Sequence, residues 1–182
     1  MKKTLIIGSK LALICGIAAV VLGFVNAVTE PVIVQNKVEA LQRAIKAVAG
    51  DRTVGEQIAV EDHGTIDYYY KIQDPDGGYI VKMVGTGYGG DMNILAGYRP
   101  DGEIFAVQLM ENQETPGLGK KAEKDEYMQK FTGTGADKPV PVLKGQLPQD
   151  EADAVTGATI TFVGIAQALE QGSEFVKSLG EA

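Results

Sequence analysis

The apolar residues of this chain are concentrated first in one unbroken segment and then in shorter, regularly spaced groups. The segment Leu5–Val28 contains a single charged residue, Lys10, and its stretch Leu11–Val25 contains none. A helix of this length, with a lysine reaching toward the headgroups, can span a bilayer. We therefore predict that residues 1–28 form a transmembrane anchor.

Basic residues are concentrated at one end of this segment. The lysines that precede it or lie at its entrance are Lys2, Lys3 and Lys10, whereas the first base after it is Lys37. This asymmetry predicts a single-pass protein of the inner (cytoplasmic) membrane, with a short cytoplasmic N-terminus and an extracytoplasmic domain over residues 29–182. The alternative is a cleaved signal peptide, with Val25-Asn26-Ala27 as the cleavage site.

After the anchor, the apolar spacing is first helical and then strand-like. A 4-3-4-3 spacing predicts an amphipathic helix that opens at Thr29-Glu30-Pro31 and ends at Gly50, with the stripe Val34, Val38, Leu41, Ile45 and Val48. Two hairpins follow, each closed by a turn that contains Pro-Asp-Gly. Their strands are Tyr68–Gln73, Tyr79–Val84, Met92–Tyr98 and Ile104–Met110. Consecutive hairpins predict an antiparallel sheet.

Helical patterns return after the sheet. A short helix is predicted over Ala122–Phe131, and a loop rich in glycine and proline follows from Thr132 to Pro148. The last helix follows Thr159 and closes at Gly180, with Phe162, Ile165, Leu169 and Val176 on one face. The pattern as a whole predicts the α+β class, with one N-terminal transmembrane helix, an antiparallel sheet and flanking helices.

Composition limits the chemistry that this chain can perform alone. Its 182 residues have a net charge of -7, which makes a nucleic-acid backbone a poor partner. A single cysteine, Cys15, and a single histidine, His63, cannot build an internal disulfide, an iron–sulfur site or a zinc site. We predict no metal site and no catalytic side chain, so redox work would need an organic cofactor or a partner.

The most informative stretch for function is Asp153-Ala154-Val155-Thr156-Gly157-Ala158-Thr159. It resembles the D-x-x-(S/T)-G-A-T sequence at which a flavin transferase attaches FMN to a threonine hydroxyl through a phosphoester. The resemblance implies that Thr159 carries covalent FMN and that Thr156, Gly157 and Ala158 form the site around it. Free amides and the positive end of the following helix suit the negative phosphodiester. For this motif alone, the alternative is a threonine-rich helix entrance with nothing attached.

A second motif, Glu114-Thr115-Pro116-Gly117-Leu118-Gly119, lies between the sheet and the short helix. It resembles the E-T-P-G-L-G stretch of an FMN-binding domain. That domain is shared by the G subunit of the Rnf complex and the C subunit of the sodium-pumping NADH:quinone reductase. The resemblance implies that Glu114, Thr115, Gly117, Leu118 and Gly119 bind the cofactor. The alternative for this motif alone is a plain connection between a strand and a helix.

The glycine-rich stretch Gly85-Thr86-Gly87-Tyr88-Gly89-Gly90 also matches the G-x-G-x-x-G pattern of dinucleotide sites. We reject that interpretation because a strand, and not a helix, follows it, so no helix terminus is available for the phosphates. The stretch resembles the G-x-G-Y-x-G sequence of the same FMN-binding family. The resemblance implies that Gly87 and Tyr88 border the flavin, although a tyrosine at a hairpin edge is an equally ordinary interpretation.

On these motifs the chain is identified as a member of the Rnf G-subunit family. The resemblance implies an electron-carrier subunit with covalently bound FMN in a membrane complex that transfers electrons between ferredoxin and NAD while translocating ions. Such a subunit belongs to an oxidoreductase but has no complete active site of its own. The implied partners are the other subunits of the complex and, for maturation, a flavin transferase.

Three alternatives are consistent with the same residues. The C subunit of the sodium-translocating NADH:quinone reductase would use the same chemistry in a different complex. An anchored extracytoplasmic binding or scaffold domain would carry no flavin. A stand-alone flavin reductase is disfavoured because no nicotinamide site is visible in the sequence.

Overall fold

Residues 2–61 and 64–180 are described by a computed structural model of the chain, with side chains described from residue 6 onward; His63 lies outside these residues. The chain divides into two compact units, Met1–Leu41 and Gln42–Ala182. The predicted boundary between the anchor at residues 1–28 and the domain at 29–182 stays a prediction.

Helix α1, Lys2–Ala49, contains both the predicted anchor and the predicted amphipathic stretch, with Pro31 inside the helix. Among the described residues, it is the one helix long and apolar enough to cross a membrane, a criterion that a signal sequence also meets. Gly50 follows it with a φ of 64°, and its amide donates to the Lys46 carbonyl, so a glycine in the left-handed region ends the helix as predicted.

The second unit contains a five-stranded antiparallel sheet with the strand order β1-β2-β3-β4-β5. Its strands are β1 (Val54–Ala59), β2 (Ile66–Ile72), β3 (Tyr79–Thr86), β4 (Asp91–Tyr98) and β5 (Ile104–Leu109). The four predicted strands are confirmed, and β1 is an additional edge strand that the sequence analysis did not predict. Each strand pairs antiparallel with the next one along the chain.

Both faces of the central strands are buried, because successive side chains point to opposite sides of a sheet. On β3, Val81 and Met83 pack into the larger apolar cluster, whereas Ile80 belongs to a smaller cluster on the other side. The smaller cluster includes Val48 near the end of α1, with an exposed fraction of 4%. The predicted stripe on α1 is therefore buried near its C-terminal end, while its first member, Val34, is exposed.

The region after the sheet is more broken than predicted. In place of one helix over Ala122–Phe131, a 3₁₀ helix, a four-residue helix α2 (Asp125–Met128) and a second 3₁₀ helix follow one another. A short helix α3 (Gln149–Ala154) precedes α4 (Thr159–Gly180). Helix α4 packs against the sheet, and the four residues predicted for its apolar face are all fully buried.

Close contact between α4 and the sheet depends on small residues. A Cβ atom at Gly164 would overlap the Thr86 carbonyl oxygen, and one at Gly85 would lie 2.8 Å from the Gly164 carbonyl oxygen. The backbones of α4 and β3 therefore touch near the end of the strand. This contact places the first turn of α4 beside the glycine-rich turn that connects β3 to β4.

Candidate functional site

A cavity of about 520 Å³ lies at the N-terminus of α4. It is lined by Tyr88, Glu114, Thr115, Leu118, Gly119, Gly157, Ala158, Thr159, Ile160 and Thr161. These residues come from the glycine-rich turn after β3, the loop after β5 and the entrance of α4. Its volume is that of a pocket for a cofactor-sized organic molecule.

The entrance of α4 leaves its amides available to a ligand. The Ala158 carbonyl accepts the first intrahelical bond from Phe162 N–H at 2.9 Å, so Ala158 is the N-cap and its methyl group cannot cap the helix. The amides of the first turn have no partner within the helix. Thr159, the first helical residue, is exposed, and its hydroxyl has no hydrogen-bond partner among the described residues.

Leu118 and Gly157 bring the two sequence motifs into contact. Gly157 has a φ of 83°, which a residue with a side chain adopts only under strain. A Cβ atom there would lie 3.2 Å from Leu118 Cδ2, so the loop after β5 packs over the turn that precedes α4. The rim of the cavity is apolar, because Tyr88, Leu118 and Ile160 expose 74%, 47% and 56% of their surface.

The side chain of Glu114 is buried, with an exposed fraction of 3%, and each of its oxygens accepts a hydrogen bond. Oε1 accepts a hydrogen bond from Gly89 N–H at 2.9 Å, and Oε2 accepts one from the Thr161 hydroxyl at 2.7 Å. Cβ atoms at Gly87 and Gly119 would overlap these same two oxygens. The carboxylate therefore links three separate segments around the cavity.

A polar cluster supports the loop that contains Glu114. The Asn112 side chain accepts from Glu114 N–H at 3.1 Å and donates to the Glu123 carboxylate at 2.9 Å. Lys120 Nζ donates to the same carboxylate at 3.0 Å. The hydrogen bonds from Asn112 and Lys120 lower the pKa of Glu123 from its ordinary value. The ionised form of Glu123 therefore stabilises both ends of this loop.

Tyr127 lies in the apolar cluster behind the loop. Burial, reinforced by the charge of Glu114, raises the pKa of its phenol. Its hydroxyl is buried and has no hydrogen-bond partner in the described part of the chain. The phenol is therefore neutral at physiological pH.

The side chain of Lys144 reaches the turn that precedes α4, where it binds a residue 12 positions further along the chain. Lys144 Nζ donates to the Thr156 hydroxyl at 2.6 Å, and that hydroxyl in turn donates to the Ala152 carbonyl at 3.2 Å. Thr156 thus holds Lys144 beside the turn that contains Gly157. The fold, and not the local sequence, brings this lysine to the turn that precedes α4.

Most of the residues predicted for the site lie together. Those that line the cavity are Tyr88, Glu114, Thr115, Leu118, Gly119, Gly157, Ala158 and Thr159. Gly87, Gly117 and Thr156 are not among its lining residues. Gly87 lies against Glu114, and Thr156 binds Lys144. Their roles as cofactor-binding residues stay predictions.

Two residues that line the cavity, Ile160 and Thr161, were not predicted from the sequence. Both follow Thr159 directly, and an α-helix that starts at Thr159 must present parts of its first turn to the same cavity. The hydrogen bond from Thr161 to Glu114 spans 47 positions and has no signal in the sequence. Within residues 2–61 and 64–180, no group of three or more His, Cys, Asp or Glu residues is arranged to hold a metal ion.

A family model described as an FMN-binding domain matches residues 87–174. The match begins in the glycine-rich turn after β3 and ends within α4. It therefore includes all three segments that form the cavity.

Curated relatives resemble the chain over most of its length. The G subunit of a proton-translocating ferredoxin:NAD(+) oxidoreductase complex from Clostridium ljungdahlii is 29% identical over 93% of this chain and 91% of its own. The G subunit of an ion-translocating oxidoreductase complex from Shewanella piezotolerans is 31% identical over 88% of this chain and 82% of its own. The G subunit of a Na(+)-translocating ferredoxin:NAD(+) oxidoreductase complex from Acetobacterium woodii is 34% identical over 57% of this chain and 51% of its own.

Proposed function

This chain belongs to the family of G subunits of ion-translocating oxidoreductase complexes, and we propose that it is an electron-carrier subunit whose FMN is bonded through its phosphate to Thr159. The complex would be an ion-translocating ferredoxin:NAD oxidoreductase, as the names of two relatives state for those proteins, and would lie in a membrane. Those names favour the G subunit over the quinone-reductase C subunit. The chain would contribute one cofactor to a relay that other subunits complete.

The exposed hydroxyl of Thr159 at the entrance of α4 is the observation that carries this proposal. Its position differs from that of a capping threonine, because Ala158 occupies the N-cap and leaves the first-turn amides free. A phosphodiester on Thr159 would lie at the positive end of a 22-residue helix, next to unpartnered amides. Lys144 adds a positive charge on the Thr156 side of the same turn.

The cavity fits the rest of the cofactor in size and polarity. Leu118, Ile160 and Tyr88 offer apolar and aromatic surface for a planar ring system, and about 520 Å³ is available beside them. Bound FMN would supply the redox centre for electron transfer. The described side chains include no cluster arranged to hold a redox metal. The exposed rim leaves one side of the site accessible to an electron-exchange partner.

Attachment of the cofactor requires a second enzyme that brings FAD as the co-reactant. Thr159 Oγ1 would attack the phosphorus that carries the riboflavin moiety, forming a P–O bond as the P–O bond to AMP breaks. AMP leaves, and the threonine proton passes to a base of the transferase, because a threonine hydroxyl needs activation. The high exposure of Thr159, Ile160 and Gly157 gives such an enzyme access to the hydroxyl.

The proposed location is the inner membrane, with α1 as the anchor and the cavity on the extracytoplasmic side. α1 has the length and apolarity of a membrane span. The lysines at its N-terminal end favour a cytoplasmic N-terminus. A covalent link would then keep the cofactor on a domain that faces away from the cytoplasmic pool of flavin.

Variants of the chain co-expressed with a flavin transferase test the attachment. We expect wild type and Thr132→Val to show in-gel flavin fluorescence and an added mass of one FMN less one water, and Thr159→Val to show neither. Valine keeps the shape of threonine and removes only the hydroxyl, and Thr132→Val makes the same change at an exposed threonine that does not line the cavity. Fluorescence that persists in Thr159→Val, or is absent from wild type, would contradict the proposal.

A further inference from the structure

We propose that Glu114 is a positioning residue, which fixes the first turn of α4 so that Thr159 faces the cavity, and that its carboxylate does not bind the cofactor. This inference rests on the proposed attachment of FMN at Thr159. Under this inference the two glycine-containing loops beside the cavity both serve to hold the Glu114 side chain in place.

The contacts of Glu114 connect segments that are distant in sequence. Gly89, which donates its amide to Oε1, is 25 positions away, and Thr161, which donates its hydroxyl to Oε2, is 47 positions away. Each oxygen thus has a donor from the protein, and the side chain is almost completely buried. A carboxylate that is almost completely buried and accepts a hydrogen bond from the protein on each oxygen supports the fold of the site, and it exposes little surface to a cofactor.

Two glycines make room for this carboxylate. A Cβ atom at Gly87 would overlap Glu114 Oε1, and one at Gly119 would overlap Oε2. These glycines lie in the two loops that flank the cavity, so any side chain there would displace Glu114. The need for glycine at these two positions is therefore explained by the Glu114 carboxylate, and no contact with a flavin is required to explain it.

The geometry of a helix transmits this constraint to Thr159. Residues two positions apart on an α-helix differ by about 200° in direction, so one faces inward when the other faces outward. Thr161 is buried, with 1% exposed, and its hydroxyl is bonded to Glu114, whereas Thr159 is exposed. Holding Thr161 inward therefore fixes the rotation of the first turn and keeps Thr159 on the exposed side of the helix, where it lines the cavity.

Substitutions of Glu114 in the full chain, co-expressed with a flavin transferase, separate shape from charge. In Glu114→Gln the amide oxygen can accept from Gly89 N–H and the amide nitrogen can donate to Thr161, so we expect an initial rate of flavin attachment close to wild type. Glu114→Asp is one methylene too short to reach both donors. We expect Asp and Ala to slow attachment by up to about 100-fold, because a misplaced hydroxyl reacts slowly.

A second measurement does not require the flavin. Hydrogen–deuterium exchange of the flavin-free full chain in detergent reports the bond between Gly89 and Glu114. We expect Glu114→Ala to accelerate exchange at the Gly89 amide, Glu114→Gln to preserve its protection, and Glu126→Ala to leave it unchanged. Glu126 is an exposed acid on α2 and serves as the matched control for loss of a negative charge.

A double substitution tests whether Gly119 is required because it leaves room for Glu114. Gly119→Ala alone should slow flavin attachment, because the new methyl group would displace the Glu114 carboxylate. In a Glu114→Ala background the same methyl group meets no carboxylate, so we expect little further loss. Additive effects of the two substitutions would contradict a shared cause.

The outcomes distinguish this inference from the proposed function. If Glu114→Ala attaches flavin as fast as wild type and Gly89 exchange is unchanged, Glu114 is not a positioning residue. If Asp preserves the rate and Gln does not, the charge matters and the positioning role is wrong. If wild type itself remains unmodified, the attachment at Thr159 is contradicted, and the exchange measurement still decides whether Glu114 holds the loops.

Discussion

At the scale of single residues, the site depends on polar groups whose positions are set by glycines. Thr159 is available because the residue before it is an alanine and because Gly157 turns the chain just ahead of α4. Glu114 is held because Gly87 and Gly119 leave space for its oxygens. These features concern backbone geometry, so their loss should be measurable in the protein without any cofactor.

Gly157→Ala should destabilise the fold. Its φ of 83° lies in the left-handed region, where a residue with a Cβ atom costs about 1–2 kcal/mol, and that atom would also press on Leu118. Urea unfolding followed by tyrosine fluorescence measures the loss, since the chain has no tryptophan. Gly145→Ala is the matched control, because a Cβ there meets nothing within 4 Å. Equal stability of the two variants would contradict the assigned turn.

The stability contributed by Glu123 should depend on pH. Hydrogen bonds from Asn112 and Lys120 lower its pKa below the ordinary 4.5, so the contribution is complete above pH 4.5 and is lost as the pH falls through the folded-state pKa. The side chain is 43% exposed, so Glu123→Gln should cost less than about 1 kcal/mol at pH 7. The unfolding free energies of wild type and Glu123→Gln, compared at pH 7 and at pH 3, measure this cost. A difference between the two proteins that is larger at pH 3 than at pH 7 would refute the assignment.

At the scale of elements, α4 joins the core to the site. Phe162 lies three residues after Thr159 and is fully buried. Its ring stacks on that of Phe131, with the two ring centroids 5.4 Å apart. Phe162→Ala should therefore cost about 3–5 kcal/mol, through lost apolar burial and the cavity left behind. Thermal unfolding compared with Gln167→Ala, an exposed change on the same helix, measures the loss. A loss below about 1 kcal/mol would show that α4 does not pack as described.

The elements that sequence analysis predicted are those with strong periodicity or distinct turns. The two hairpins and α4 are confirmed because Pro-Asp-Gly turns and a helical apolar stripe are local signals. Strand β1, Val54–Ala59, was missed because it is a mostly exposed edge strand without apolar alternation. Helix α3 was missed because its residues, Gln149–Ala154, are largely polar and too few to show a period.

The site could be predicted only as far as its local motifs. Two sequence stretches indicated Thr159 and Leu118, and the structure brings both to one cavity. The bonds of Glu114 to Gly89 and Thr161 depend on how the sheet and α4 pack together. No spacing within one segment encodes such contacts, so the sequence predicted Glu114 as a ligand and gave no sign of the supporting role that we propose.

At the scale of the whole molecule, the proposed orientation can be tested by labelling. In a Cys15→Ser background, which removes the chain's single cysteine, Lys138→Cys places a thiol on an exposed loop of the domain. We expect a membrane-impermeant maleimide to label it in cells whose outer barrier is opened but whose inner membrane is intact. Lys3→Cys should react only after the inner membrane is permeabilised. The reverse pattern would contradict the proposed orientation.

Peptide mapping of the chain purified from its native membrane tests the central claim most directly. Fragmentation of the peptide that contains Thr156, Thr159 and Thr161 assigns any added mass to one hydroxyl. The account predicts one FMN on Thr159 and none on the other two threonines. An unmodified peptide, or a flavin on either neighbouring threonine, would contradict it.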